Sequence, residues 1–201
     1  MDALQQEILD AALPDIAFDG WSMAVLRQAA QQIGKAPQDA DRAFPGGEMQ
    51  AIRLWSEALN AQLKQALEQD YNLSSMKIRE RIATGVMVRL RLQQEHREAA
   101  RKAMALCQLP WNLPQGLKQV YEVTDVIWRA AGDTSTDWNF YSKRGLLAKV
   151  YSSTVLVWLN DDTPDQCETE AFLYRRIEDV MKIQKVKGSF ARWKEKLTPT
   201  G

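Results

Sequence analysis

Residues 8–34 read ILDAALPDIAFDGWSMAVLRQAAQQIG, and residues 44–52 read FPGGEMQAI. Together they decide the fold. Leu4, Ile8 and Ala12 share one helical face, so a first helix is expected, ending before Pro14. Ser22 is placed to cap a second helix that carries Val25, Ala29 and Ile33 and ends at Gly34. Pro37 opens a short third helix, closed by Pro45-Gly46-Gly47. Three short helices in a row make a trihelical unit with a helix-turn-helix outline.

The same period of three to four continues outward. Met49, Ile52, Leu59 and Leu63 mark a long fourth helix. Ser75 is a candidate cap for the next, which carries Ile78, Ile82, Val86 and Leu90. Residues 109–114, LPWNLP, form a stiff apolar connector. Leu117, Val120, Tyr121 and Trp128 define a further helix ending at Gly132. Thr136 is a candidate cap for a helix from Asp137 to about Leu159. Asp161-Asp162-Thr163-Pro164 is a turn, and Phe172, Leu173, Ile177 and Val180 stripe the helix after it. No segment alternates long enough to be a strand, so the fold class is all-α.

Composition narrows the function. The 201 residues suffice for one domain or two small ones, and 45% of them are hydrophobic. With 26 basic and 26 acidic residues, no global field draws the chain to nucleic acid or membrane. Cys107 and Cys167 have no metal-ligand spacing and are expected to fill core space as reduced thiols. No run reaches the roughly 18 apolar residues of a membrane span. The start, Met1-Asp2-Ala3-Leu4, has neither signal-peptide nor presequence character. A bacterial cytoplasmic protein, or a processed mature form, is expected.

Catalytic chemistry has little to stand on. His96 is the only histidine. A di-iron bundle needs Glu-x-x-His on two helices, and the residue three before His96 is Gln93. Zinc sites and Ser-His-Asp or Cys-His catalysis would all compete for that one imidazole. Gly46-Gly47 and Gly132 fit no phosphate-cradling pattern. A helical enzyme working through acid pairs remains an alternative. DNA reading is also poorly supported. The third helix and its lead-in carry Lys35 and Arg42 against Asp39 and Asp41. Only Gln38 and Arg42 could reach a base edge.

The C-terminus has a different character. Ile183, Val186, Phe190, Trp193 and Leu197 recur at intervals of three and four. Lys182, Lys185, Lys187, Arg192, Lys194 and Lys196 surround them, with Glu195 the only acid. A basic helix with Phe and Trp on its apolar side is the pattern of an interfacial membrane helix. Packing against a dimer partner is the alternative. Three regions result: a head over 1–47, a body over 48–181 and a basic amphipathic membrane-docking helix over 182–201.

Two resemblances follow. The stretches at 8–34 and 44–52 resemble the start of the TetR family of regulators, whose helix-turn-helix head precedes a helical ligand-binding body. From about Leu109 to Met181 the order is LPWNLP, then AGDTSTDWNFYSKRGLL at 131–147, VYSSTVLVWLNDDTPD at 150–165 and FLYRRIEDVM at 172–181. This resembles the Coq-nine family of coenzyme Q biosynthesis proteins, itself TetR-like. The resemblance implies a non-catalytic dimer without resident cofactor or metal. It implies a bound isoprenoid, quinone or phospholipid, with the quinone intermediate presented to the di-iron demethoxyubiquinone hydroxylase at the membrane. The place implied is the bacterial inner membrane's cytoplasmic face, or the matrix side in a mitochondrion. The hydroxylase-facing patch it implies falls on Asp125, Ile127, Asp137, Phe140, Tyr141 and Arg144. Phe140 stands where the family places a tryptophan, and Trp138 where it places a phenylalanine. Membrane contact would fall to Lys182, Ile183, Lys185, Val186, Phe190, Trp193, Lys194 and Leu197. Trp55, Val86, Leu90 and Trp158 are candidates for lining a lipid pocket. The reading from another class is a TetR-type ligand-responsive repressor.

Overall fold

In the computed structural model, the structure describes the backbone of residues 1–134 and 138–197 and the side chains of 1–134 and 141–182. Among the described residues there are nine α-helices, three short 3-10 turns and no strand. The fold is all-α.

Local chemistry sets the helix starts. Asp2 accepts from the Gln5 N–H at 2.7 Å while the Gln5 side chain accepts from the Asp2 N–H at 3.0 Å, opening α1 (Ala3–Asp19). Ser22 accepts from the Val25 N–H at 3.3 Å and opens α2 (Met23–Gln32). Pro37 begins α3 (Pro37–Ala43). The long α4 (Gly47–Gln69) follows the double glycine. Glu80, rather than the expected Ser75, caps α5 (Ile78–Leu92), its carboxylate accepting from the Lys77 N–H at 3.0 Å. Ser75 instead ends a 3-10 turn and donates to the Asn72 carbonyl. Then come α6 (Arg97–Cys107), α7 (Leu113–Ala130), α8 (Trp138–Trp158) and α9 (Cys167–Leu197). Gly132, at φ 92°, takes the left-handed turn that closes α7 and lets the Asp133 N–H reach the Trp128 carbonyl.

The first helix does not stop at Pro14. It runs through that residue to Asp19. An internal proline costs about 3 kcal/mol through its missing N–H and ring clash. Leu13 and Ile16 both lie buried around it, and each such side chain contributes about 1.5–3 kcal/mol. Tertiary packing therefore outweighs the local penalty, with Pro14 turned to the exposed side.

Two cores result. The first joins Ile8, Ile16, Leu26 and Phe44 of the head region to Ile52 and Trp55 of α4 and to Ala99 and Ala103 of α6. Trp21 ties it together, donating from Nε1 to the Ala99 carbonyl at 2.9 Å and lying 5.5 Å from the Trp55 ring. The second unites Leu63, Val86, Leu90, Ile127, Trp158 and Leu173 across the body helices. The single rod α4 feeds both. Cys107 packs half-buried against the first core, whereas Cys167 is exposed and fills no core space.

Candidate functional site

Where α4, α5, α6, α7 and α8 converge they leave a hollow of about 270 Å³. Local sequence explains the gap. The side that α6 turns to it includes Ala100 and Ala103, too small to fill the space, beside Met104 and Cys107. Gly116 lets α7 start hard against the end of α6, since a Cβ there would meet the Cys107 carbonyl at 2.9 Å. Ile52, Trp55, Met104, Val120, Val123 and Val155 make the walls largely apolar. Leu113, Leu117 and Leu156 also line it yet are exposed, and so form its rim. Leu113 and Leu117 continue to Tyr121 at four-residue steps, an exposed apolar stripe along α7.

Of the expected pocket residues, Trp55 stands on the wall. Val86, Leu90 and Trp158 do not. They are fully buried in the second core, where Trp158 donates from Nε1 to the Gln94 side chain at 2.8 Å. Apolar spacing identified them as inward-facing but could not tell solid core from cavity wall.

One wall residue was missed. Arg89 lies on α5 within the run Val86-Met87-Val88-Arg89-Leu90 and is only 3% exposed. Its Nη1 donates to Gln93 Oε1 at 2.7 Å, and its Nε is buried with no hydrogen-bond partner. Burial lowers its pKa, partly opposed by nearby Tyr151. An arginine inside an apolar helical run was the available signal.

The aromatic turn segment forms a second constellation. Arg144 is 1% exposed, donating to Asp125 at 2.7 Å and to Asp133 at 3.0 Å. Lys143 also pairs with Asp133, and Arg129 with Asp125. Trp128 donates from Nε1 to the Lys143 carbonyl at 3.1 Å. This network clamps the end of α7 to the start of α8. Asp125 and Arg144 are thus brought together by each other, and Ile127 is buried in the core. Neither Ile127 nor Arg144 lies on the surface of the chain: Ile127 packs in the second core and Arg144 is held in the ion-pair network of the turn. Tyr141 does, at 61% exposure. Asp137 and the side chain of Phe140 lie outside the described residues.

Among the expected membrane residues, Lys182 is exposed. The side chains of Ile183, Lys185, Val186, Phe190, Trp193, Lys194 and Leu197 lie outside the described residues. Among the described residues no helix is long and apolar enough to cross a membrane, and no three His, Cys, Asp or Glu side chains gather as a metal site. In the head, Arg42 pairs with Asp39 at 2.9 Å and Arg27 with Asp41 at 2.8 Å.

A helix-turn-helix-like head on a helical body with an apolar hollow is the TetR-like fold. The crystal structure of the TetR transcriptional regulator from Nitrosomonas europaea superimposes at TM-score 0.72 over 88% of this chain and 97% of that one, at 16% identity. Residues 113–184 match the model of the COQ9 family, and the chain as a whole is similar to curated members of that family. It is 31% identical to the human protein named "Ubiquinone biosynthesis protein COQ9, mitochondrial", over 90% of this chain and 59% of that one. The Xenopus tropicalis relative of the same name is 33% identical over the same shares, and the Drosophila melanogaster one 29% over 92% and 57%. The chain therefore spans about three fifths of the length of these relatives.

Proposed function

We propose that this chain is a non-catalytic lipid-binding accessory protein of ubiquinone biosynthesis. It takes up an isoprenoid quinone intermediate and presents it at the membrane to the di-iron hydroxylase that acts on demethoxyubiquinone. The observation that carries this reading is the hollow: apolar walls, an exposed leucine rim and a volume of about 270 Å³. Ordinary small-molecule sites run from about 300 to 1,000 Å³. The hollow suits a ring and the first part of a tail, with the remainder of a long chain leaving over Leu113, Leu117 and Leu156. The relatives' names supply the pathway.

In this reading the α7–α8 turn faces the hydroxylase, with Tyr141 as its exposed aromatic, and the basic stretch from Lys182 onward meets the membrane. That surface is the cytoplasmic face of the bacterial inner membrane, or the matrix side in a mitochondrion. The chain works as a homodimer, and its head binds no nucleic acid, since its arginines are neutralised by Asp39 and Asp41. Mass spectrometry of solvent extracts from natively purified protein tests the proposal. An isoprenoid, quinone or phospholipid should co-purify, or the protein should take up an added short-chain quinone. Repeatedly empty preparations that refuse added quinone would overturn it.

A further inference from the structure

A guanidinium in an apolar cavity needs an explanation. Arginine keeps its charge under all ordinary conditions. Out of water, that charge calls for an opposite one. Among the described residues Arg89 forms no ion pair with a carboxylate, and its one hydrogen bond goes to the neutral Gln93 side chain. Five further polar side chains line the same hollow: Tyr151 and Ser56, both buried, and Ser152, Gln108 and Gln119. The apolar walls and the exposed leucine rim complete the polarity gradient. Arg89 is almost wholly buried and the rim is open, so the charged end is the deep end.

We propose that Arg89 and Gln93 are a head-group clamp in this cavity, and that besides a neutral-headed quinone it takes an apolar chain ending in an oxyanion, a carboxylate or a phosphate, bound head-first. This rests on the reading of the hollow as a lipid site and adds a second class of ligand head to it. The planar guanidinium offers a fork of N–H donors matched to two oxygens of one anion. The anion in turn supplies the counter-charge that the described residues around Arg89 do not. A chain ending in an ester or alcohol would leave that charge uncompensated and bind more weakly.

The test uses the full chain and four probes with the same fifteen-carbon tail: farnesoic acid, its methyl ester, farnesyl monophosphate and farnesol. Affinities are measured by isothermal titration on wild type, Arg89→Met and Arg89→Lys. Wild type should prefer at least one charged probe over its neutral counterpart by about tenfold or more. Arg89→Met should erase that preference while still binding the ester, and Arg89→Lys should keep part of it. Preference in the carboxylate pair alone assigns an acid head, and in the phosphate pair alone a phosphorylated one. Equal affinity within both pairs in wild type, or a preference that survives in Arg89→Met, overturns the clamp. Should Arg89→Met fail to fold, Gln93→Leu replaces it, and the wild-type comparison stands by itself. If the neutral probes bind and the charged ones gain nothing, only the clamp fails. If none of the four binds, the lipid reading falls and the clamp with it.

Discussion

Asp161 is 2% exposed and is wrapped in donors. The Thr163 N–H reaches Oδ1 at 2.9 Å, while the Thr169 N–H and hydroxyl reach Oδ2 at 2.8 and 2.6 Å. It thereby caps the first turn of α9 from outside the helix. Burial alone would raise its pKa, but these hydrogen bonds outweigh burial and bring it from 3.8 down to about 2. A depressed carboxylate contributes stability that is complete above the unfolded value. That contribution drains away as pH falls from about 3.8 through about 2. Asp161→Ala should therefore cost about 2 kcal/mol in urea unfolding at pH 7. The gap between variant and wild type should narrow at pH 3, and an equal gap at both pH values would show that the carboxylate's charge contributes nothing. Sequence placed the turn correctly because Asp, Thr and Pro have strong local preferences. It could not see that Asp161 reaches eight residues on, or that Arg144 points inward. Which charged side chains a fold buries is settled by packing between distant segments. Arg89 escaped notice for the same reason.

Among the helices, the closest approach is set by what is missing. A Cβ on Gly85 of α5 would stand 2.8 Å from Ile127 Cγ2 of α7. Alanine is the better helix former by about 1 kcal/mol. Overpacking a fixed core costs about 1–3 kcal/mol, and Ile127 is 1% exposed with little room to give. Gly85→Ala should therefore lower stability by up to about 2 kcal/mol net, read from the denaturation midpoint. Gly85→Ala combined with Ile127→Ala should cost less than the two singly, since the clash partner is gone. Strict additivity would place the strain elsewhere. Most helices were legible because apolar spacing at three and four survives any tertiary context, but α6 was missed, its buried face offering only alanines where larger apolar residues mark the other helices. Ends were less so. Pro14 looked like a stop because its local cost is visible in sequence, whereas the burial of Leu13 and Ile16 that overrides it is not. The apolar stripe on α7 was legible as helix but not as half exposed.

For the whole molecule, charge is distributed by region and not in bulk. Formal charges cancel over the chain, yet six of the seven charged residues from Lys182 to Lys196 are basic. Each such residue near an anionic surface contributes about 1 kcal/mol, screened by salt. Deleting residues 183–201 should sharply reduce co-sedimentation with cardiolipin-containing vesicles, and raising salt should weaken binding of the intact chain. Undiminished binding by the truncated chain would assign membrane contact to another surface. The TetR-like architecture was readable from the first quarter of the chain, the hollow only from the meeting of five helices. The shared rod α4 has a mechanical consequence. Trp21 braces α6 through Ala99 and lies beside Trp55, which is itself cavity wall. The head is thus a buttress: loosening a residue that never borders the hollow would still be felt in its shape, and the two halves of the chain stand or fall as one frame.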